Sequence, residues 1–299
     1  MKLIESSVEY LPQEEGMQGV YKQIEVAGRT AYHSQDKITE DSAKDFVDRM
    51  IKSNHGAALE HGTIYLNRDV DFSDSEYNAF EAFYEQSPYS KVSYDGGTCY
   101  VSTNLRVVIE NHLFTDLQYL CSPTEFHEKR YTMRFICSRA IAQELTRHRV
   151  FSYLMESQRY CNYSKDKHGN GITFIIPSWI GRNREPNTEA ETAWLDAMKK
   201  AESAYIDMVS GITRKGIVVM PADEKLTPQQ ARDVLPNATK TELIMTGFAS
   251  DWRYLLDLRL FEKTGKVHPD MLDLMQKLQK VMQEAGIWED IMKYSSKFN

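Results

Sequence analysis

Repeats of apolar and polar residues divide the first quarter of the chain into predicted elements. Residues 3–11 alternate weakly and predict a first strand, and a helix is expected from about Gly16 to Ala31. A second helix begins near Asp41, because apolar residues then recur three and four positions apart. A β-like stretch follows from Thr63. The N-terminal part is therefore expected to mix helices and strands.

The remaining pattern predicts mostly helices. Apolar residues at helical spacing indicate one helix over about 135–145 and a long one over about 238–259. A short strand is expected over 172–176, and helices over 194–212 and 271–284. The chain as a whole is predicted to belong to the α/β (α+β) class.

Composition narrows the classes of function. The chain has 299 residues, 41% of them hydrophobic, and a net charge of −7, which predicts a globular protein of enzyme size. The negative balance argues against a general nucleic-acid binder, whose affinity depends on excess Lys and Arg. The four cysteines form no CxxC pair, no signal peptide is apparent, and no apolar run approaches the roughly 18 residues of a membrane span. We expect a cytoplasmic protein with free thiols, no membrane segment and no metal site.

One basic stretch stands out against the acidic background. The sequence RHRVFSYLMESQRY, from Arg147 to Tyr160, carries three Arg, one His and the Ser157 hydroxyl within fourteen residues, with Glu156 its one acidic residue. Unpaired guanidiniums repel one another and present planar donors suited to phosphate or carboxylate. The stretch therefore predicts an anion site. A solvated surface, or pairing with acids distant in sequence, is the alternative.

The order of these residues resembles the RHRxxSxNExSxRY signature of the flavin-dependent thymidylate synthases, the ThyX family. The matching positions are Arg147, His148, Arg149, Ser152, Ser157, Arg159 and Tyr160. The chain departs from the signature at Leu154 and Met155, which replace Asn and Glu, and carries Glu156 one place later.

Three more segments extend the resemblance. HGAALEH resembles the family's HxxxxEH, in which the first His, here His55, approaches the flavin and Glu60 and His61 are supports. ARDVLP resembles its AR-x-VLP element, whose Arg reaches the nucleotide, here Arg232. A Leu-x-x-Arg ending places Arg259 where the family's Arg holds the pyrimidine.

The resemblance implies an activity and a fold. Family members bind FAD, take hydride from NADPH, accept a one-carbon unit from methylenetetrahydrofolate and convert dUMP to dTMP, in homotetramers. The implied fold is a central, mostly antiparallel sheet flanked by helices. We expect a single domain over 1–299 with a family-atypical insertion at about 71–132.

The resemblance also assigns the site residues. Arg259 and Ser157 would be closest to the chemistry, with Ser157 positioning the ligand. The dUMP contacts would be Arg147, Glu144, Glu156, Ser157, Arg159, Arg232 and Arg259. The FAD contacts would be His55, Arg147, His148, Arg149 and Tyr254. Phe248 and Tyr254 stand where relatives often carry flavin-contacting Asn.

Other functions remain open. A paralogue could act on another pyrimidine nucleotide or give another one-carbon product, a nucleic-acid-binding protein could use the Arg cluster, and a metal hydrolase could use His55, Glu60 and His61. The His spacing matches no zinc-helix pattern. No Walker A loop or GxGxxG turn is present, so a dinucleotide would bind without a Rossmann turn.

Overall fold

A computed structural model describes residues 1–70, 75–164, 171–180, 188–214, 217–221 and 224–298. The strands are β1 (Lys2–Ile4), β2 (Ser7–Tyr10), β3 (Thr63–Asp69), β4 (Lys91–Asp95), β5 (Thr98–Asn104), β6 (Arg130–Ser138), β7 (Ser152–Met155), β8 (Thr173–Ile175), β9 (Ile212–Arg214), β10 (Ile217–Met220) and β11 (Lys240–Phe248). The helices are α1 (Gly16–Ala31), α2 (Ser42–Lys52), α3 (Gly56–Leu59), α4 (Ser75–Gln86), α5 (Leu105–Glu110), α6 (Arg139–Leu145), α7 (Glu189–Ser210), α8 (Pro228–Ala231), α9 (Ala249–Arg259), α10 (Pro269–Glu284) and α11 (Trp288–Met292).

A four-stranded sheet in the order β2-β6-β11-β7 lies at the centre. All three of its strand pairings are antiparallel. β6 and β11 pair along their whole length, from Lys240 opposite Ser138 to Phe248 opposite Arg130. Helices flank this sheet, so the predicted central, mostly antiparallel sheet is confirmed.

The two faces of the sheet carry different helices. Successive side chains of a strand point to opposite faces, and Leu243 and Met245 of β11 belong to a core formed with α6, α9, α10 and α11. The side chain of Thr246 points to the opposite face, where it contacts His61, two residues after the end of α3. Helix α1 packs against β7 and β11 on this second face.

A second sheet, in the order β3-β5-β4, carries much of the predicted insertion. Of the predicted 71–132, residues 71–74 lie outside the described ranges, and α4, β4, β5 and α5 come from the rest. Phe80, Val101 and Leu105 share one apolar core with Val20 and Ile24 of α1. This segment therefore packs as part of the main body.

The predicted helices over 135–145 and 238–259 were wrong in their first halves. β6 continues through Ser138 before α6 begins, and β11 continues through Phe248 before α9 begins. Strands buried on both faces carry apolar residues at successive positions, so their period does not separate strand from helix. Ser138 marks the first boundary, because its side chain accepts a hydrogen bond from Ile141 N.

The other predicted elements agree better with the structure. The helices expected at 16–31, from Asp41, at 194–212 and at 271–284 correspond to α1, α2, α7 and α10, and the strand at 172–176 to β8. The predicted first strand is two short strands, β1 and β2. β1 pairs in parallel with β8, outside the central sheet. In the described part of the chain, no helix combines the length and apolarity required for a membrane span.

Candidate active site

The C-terminal ends of α6 and α9 meet over one face of the sheet. Arg259 is the last residue of α9, and His148 follows α6 by three positions. The Nε–H of Arg259 donates to His148 Nε2 at 3.1 Å. A helix C-terminus carries partial negative charge and favours a cation. The fold thus joins a residue of the RHR motif to an Arg more than 100 positions away.

The environment of His148 makes it a neutral acceptor. His148 is 7% exposed, and burial together with the adjacent Arg259 lowers its pKa to about 4. The ring is therefore neutral near neutral pH, and acceptance from Arg259 at Nε2 requires the tautomer with its proton on Nδ1. Glu144 Oε2 lies 3.8 Å from Arg259 Nη1. We call Glu144, His148 and Arg259 the arginine–histidine cluster.

Two further guanidiniums of the motif lie on the surface beside this cluster. Arg147 and Arg149 are exposed, and neither has an ion-pair partner among the residues that the structure describes. The Tyr153 hydroxyl donates to the carbonyls of Leu145 and His148, at 2.7 and 2.6 Å, and so fixes the loop that carries them. The loop therefore presents two cations available to an anion.

Strand β7 explains where the motif departs from the family signature. Leu154 packs against the core shared with α1, whereas Met155 packs against the opposite core. Ser152, which matches the signature, is buried at 9% exposure near Arg130, whose Nη2 lies 3.5 Å from its Oγ. Both departures are thus apolar residues that bury the two faces of an edge strand.

Glu156 is buried and held by three side chains. It is 2% exposed and contacts His33 Nε2 at 2.8 Å, Lys240 Nζ at 3.0 Å and the Tyr163 hydroxyl at 2.7 Å. Burial alone would raise the pKa of this carboxyl, but His33, Lys240 and Tyr163 hold the pKa at about 2. The structure therefore places Glu156 inside the protein, away from the exposed Arg159.

Directly after Glu156 the chain turns at Ser157–Tyr160. Ser157 N donates to Ala31 O at the end of α1, at 3.0 Å, and Ser157 Oγ accepts from Arg159 N at 3.3 Å. The Arg159 guanidinium is exposed, lies 5.5 Å from the Tyr160 ring centroid and donates through Nε to the neutral Gln229 side chain at 3.3 Å. Arg159 is thus accessible, and its side-chain hydrogen bond within the described residues goes to a neutral amide.

Arg232 lies on the element that Arg159 contacts. Gln229 belongs to α8, and Arg232 begins the 3-10 helix that continues it. Residues three positions apart share a face of such a helix. Arg232 is half-buried. This predicted nucleotide contact is thus three positions along the chain from the residue that Arg159 contacts.

His55 reaches the same region through an aromatic residue. Its Nδ1 lies 3.4 Å from the Tyr32 hydroxyl, and the Tyr32 and Tyr160 ring centroids are 6.0 Å apart. The two residues predicted to be supports contact other side chains: Glu60 Oε1 accepts from Arg106 at 2.6 Å, and the buried His61 Nδ1 lies 2.8 Å from Thr246 Oγ1. We call His55, Tyr32 and the Ser157–Tyr160 turn the turn cluster.

Two predicted aromatic positions are already engaged. The Tyr254 ring stacks on Phe298, with centroids 5.6 Å apart, and Lys297 Nζ lies 5.0 Å from the Tyr254 centroid. Phe248 is 6% exposed between Arg130 and Lys91. One face of Tyr254 is therefore occupied by the chain's own C-terminal segment, and Phe248 is a core residue.

The two clusters lie on opposite faces of the sheet at its β7 edge. The arginine–histidine cluster belongs to the face covered by α6 and α9, and the turn cluster to the end of α1. The six-residue path 146–151 joins α6 to β7 and links the two faces. A ligand that contacts both clusters must therefore extend around this edge.

Sequence comparison identifies the family. Residues 98–285 match the family described as "Thymidylate synthase complementing protein". The chain belongs to this family. The match begins inside the predicted insertion and includes the RHR motif, Arg232 and Arg259.

Curated relatives of the family carry the name flavin-dependent thymidylate synthase. The proteins from Mycobacterium tuberculosis (strain ATCC 25177 / H37Ra) and Mycobacterium sp. (strain KMS) are 33% and 32% identical over 132 and 131 residues, 42% of this chain in each case. The Pyrococcus furiosus protein is 28% identical over 155 residues, 52% of this chain. The matches cover 47%, 48% and 53% of these three relatives, so the chain spans about half their length.

A solved structure of the UMP/dUMP methylase PolB from Streptomyces cacaoi, bound with 5-Br dUMP, aligns over 98% of this chain and 97% of its own. The TM-score is 0.44 and the identity 15%. Both values lie below the level from which a common fold is inferred.

The structure adds residues that the sequence patterns did not indicate. Tyr32 and Gln229 contact His55 and Arg159, and no motif marked them. His33, Glu156 and Cys161 place an imidazole, a carboxylate and a thiol within 4.8 Å of one another, and within the described ranges this is the one such group that could hold a metal ion. His33 is more than 120 positions from the other two, so no spacing rule could have found it.

Proposed function

We propose that the chain is a flavin-dependent thymidylate synthase, which converts dUMP to dTMP with methylenetetrahydrofolate as carbon donor and NADPH as the source of reducing equivalents through FAD. The observation that carries this proposal is the contact between Arg259 and His148. It joins the family's RHR motif to its Leu-x-x-Arg position in a chain that belongs to the family.

The donor set near the RHR motif fits FAD. Arg147 and Arg149 are exposed cations on a loop fixed by Tyr153, and guanidiniums of this kind suit a diphosphate. We propose that they hold the cofactor with His148 and His55, and that Tyr254 contacts it through the part of its ring that Phe298 leaves uncovered. When bound, FAD supplies the hydride that completes the methyl group.

The proposed nucleotide site uses the other cations. Arg159 and Ser157 would bind the phosphate, because Arg159 has no carboxylate partner in the described structure, and Arg232 would lie beside them. Arg259 would stabilise negative charge on the pyrimidine ring as its carbon becomes nucleophilic. His148 accepts from its Nε, and Glu144 lies 3.8 Å from its Nη1, beyond hydrogen-bond distance.

Ser157 fits a positioning role better than a nucleophilic one. Its hydroxyl accepts from a backbone N–H, and no His or carboxylate among the described side chains contacts its oxygen as a base. We therefore propose that the reaction proceeds without a covalent enzyme intermediate on Ser157, and that the protein orients the reacting rings.

The proposal extends to assembly and location. We propose a homotetramer in which each site takes residues from more than one subunit, since the two clusters of one chain lie on opposite faces of its sheet. We also propose a cytoplasmic location, because Cys99, Cys121, Cys137 and Cys161 are all free thiols, as expected in a reducing compartment.

An anaerobic assay tests the proposed reaction. The purified protein is loaded with FAD, reduced with NADPH and mixed with dUMP and methylenetetrahydrofolate, and the nucleotide product is identified by mass. We expect bleaching of the flavin by NADPH and then dTMP. Flavin reduction without dTMP would show that another nucleotide or product is correct, and failure to bind flavin at all would overturn the proposal.

A further inference from the structure

We infer that the chain binds a divalent metal ion of the zinc class through His33 Nε2, the Glu156 carboxylate and Cys161 Sγ. These atoms lie within 4.8 Å of one another, and Glu156 and Cys161 are buried. Imidazole, carboxylate and thiolate are the three ligand types that zinc takes in proteins, and three protein ligands leave a fourth position for water. The inference goes beyond the proposed synthase activity and concerns a separate site.

The distance between the His33 and Glu156 donors is close to that of a tetrahedral site, and the Cys161 sulfur lies within 4.8 Å of both. His33 Nε2 and Glu156 Oε1 are 2.8 Å apart. Zinc bonds of about 2.0 Å to nitrogen and oxygen would place those two atoms about 3.3 Å apart, and a Zn–S bond of about 2.3 Å would place the sulfur about 3.5 Å from each. An ion therefore requires the distance between His33 Nε2 and Glu156 Oε1 to increase by about 0.5 Å, which side-chain rotation can supply.

The surrounding charges favour a divalent cation. Lys240 Nζ contacts Glu156 Oε2 at 3.0 Å and Glu242 Oε1 at 2.5 Å. Metal binding would release the Cys161 thiol proton to solvent. The resulting thiolate, Glu156 and Glu242 would then face one ammonium, which leaves two negative charges for a divalent ion to neutralise. Arg134 also reaches Glu242, at 3.4 Å, but is shared with Glu9 at 3.2 Å. Lys240 would act as an outer partner that orients the ligating carboxylate, as such partners do in known metal sites.

The position of the group gives the metal a structural role. His33 follows the end of α1, whereas Glu156 and Cys161 bracket the Ser157–Tyr160 turn. The Cys161 N–H already donates to Ser157 O at 3.1 Å. A bound ion would tie both ends of this turn to α1 and so fix the turn that carries Arg159.

Cobalt provides the direct test. Co²⁺ is added to the metal-free whole chain, and we expect one ion per chain with a sulfur-to-cobalt charge-transfer band. Cys161→Ser should lose that band, whereas Cys137→Ser, a buried thiol in the other core, should keep it. Absence of the band in the wild-type chain, or its persistence in Cys161→Ser, would overturn the inference.

Zinc affinity gives a second readout, and its measurement on the wild-type chain does not require any variant to fold. We expect Zn²⁺ to raise the Tm of the wild-type chain and a chelator to reverse the rise, with micromolar or tighter binding by calorimetry. His33→Ala should weaken Zn²⁺ binding at least tenfold. Unchanged Tm and only millimolar binding would mean that the three side chains form an ion pair and no metal site. None of these readouts depends on dTMP formation, so the two proposals can fail separately.

Discussion

At the scale of residues, burial determines which histidines can act as acceptors. His148 and His61 are both buried, and burial with the nearby cations Arg259 and Arg130 lowers their pKa values to about 4 and about 3. Each accordingly stays neutral in the folded chain at pH values where a free histidine is protonated. Their neutral state is thus part of the folded structure, and its loss should appear as acid sensitivity.

Stability should fall as the pH drops from 7 to 5. The unfolded chain takes up a proton on each histidine near pH 6.5, whereas folded His148 does so only near pH 4. The stability that depends on neutral His148 is therefore complete above pH 6.5 and is lost as the pH falls toward 4. Linkage puts the change between pH 7 and 5 at about 2 kcal/mol for His148 and for His61. Folding lowers the pKa of Glu156 from 4.5 to about 2. The stability that depends on ionised Glu156 is therefore lost only below pH 4.5.

Urea unfolding at the two pH values measures this effect. His148→Asn should remove only part of the pH-dependent loss, because burial also lowers the pKa values of His61 and His127. Burial raises the pKa of Asp251 to about 6, and this group offsets some of the loss in the wild type and in the variant alike. His112→Asn is the matched control, since His112 is exposed with φ 59°, a backbone conformation that Asn tolerates. Equal pH dependence in the wild type and His148→Asn would contradict the neutral buried state.

Arg159 should determine affinity for the nucleotide phosphate. Arg159→Ala is expected to weaken dUMP binding by about 10- to 100-fold, the value of a charge-assisted hydrogen bond, and to leave FAD bound. Gln229→Glu should also weaken dUMP binding, because it gives Arg159 a carboxylate partner at a position now 3.3 Å from Nε.

Calorimetry with dUMP, and the flavin absorbance of the same samples, measures both effects. Arg49→Ala is the control. Arg49, on α2, is also exposed, and its guanidinium lies 5.8 Å from the centroid of the Phe46 ring. Unchanged dUMP affinity in Arg159→Ala would exclude Arg159 from the phosphate site.

At the scale of elements, two strands continue into the helices that carry the motif residues. β6 leads into α6 and β11 into α9, and because the strands are antiparallel the helices start at opposite ends of the sheet. Their C-termini therefore approach each other, which brings His148 to Arg259. The loop between α6 and β7 is held down by Phe151, which packs 4.7 Å from the Trp252 ring and over Gly247.

Gly247→Ala should disturb this loop. A Cβ at Gly247 would lie 2.4 Å from Phe151 Cδ1, so Phe151 must move, at a cost of about 1–3 kcal/mol for overpacking. Phe151 follows Arg149 by two residues, and we expect weaker FAD binding as well.

A double-mutant cycle with Phe151→Leu tests the contact. The smaller side chain leaves room for the new methyl group, so the free energy of unfolding of the double variant should exceed the value expected from the sum of the two single losses. Strict additivity would show that Gly247 and Phe151 are not coupled.

At the scale of the whole molecule, the two clusters of one chain lie on different faces of the sheet edge. A second copy could supply the missing cluster to each face, as closed symmetric assemblies allow. The proposed tetramer therefore predicts that two different inactive chains can complement each other.

Mixing tests the shared site. At dUMP concentrations well below the Kd of Arg159→Ala, the Arg259→Ala and Arg159→Ala chains should each have little activity. Refolding them together should restore about a quarter of the wild-type rate if each site takes one residue from each of two subunits. Light scattering should give the mass of a tetramer, four times 34.6 kDa per chain. Mixed chains that stay inactive while forming such a tetramer would mean that each site is built within one subunit.

The sequence alone determined the family motif, the amphipathic helices and the main site candidates. The RHR order, the Arg232 and Arg259 positions and the single-sided apolar faces of α1, α2 and α10 are local patterns, and a local pattern can be read without knowing what lies across the core. The antiparallel sheet was expected from the resemblance and is present.

Only the tertiary structure decided how these pieces meet. β6 and β11 are buried on both faces, so their apolar residues follow no single period. These two segments can be assigned as strands only from their pairing with each other. The inward direction of Glu156, the acceptor role of His148 and the meeting of His33 with Cys161 each depend on residues distant in sequence. Such contacts arise from long-range packing, which short sequence patterns do not encode.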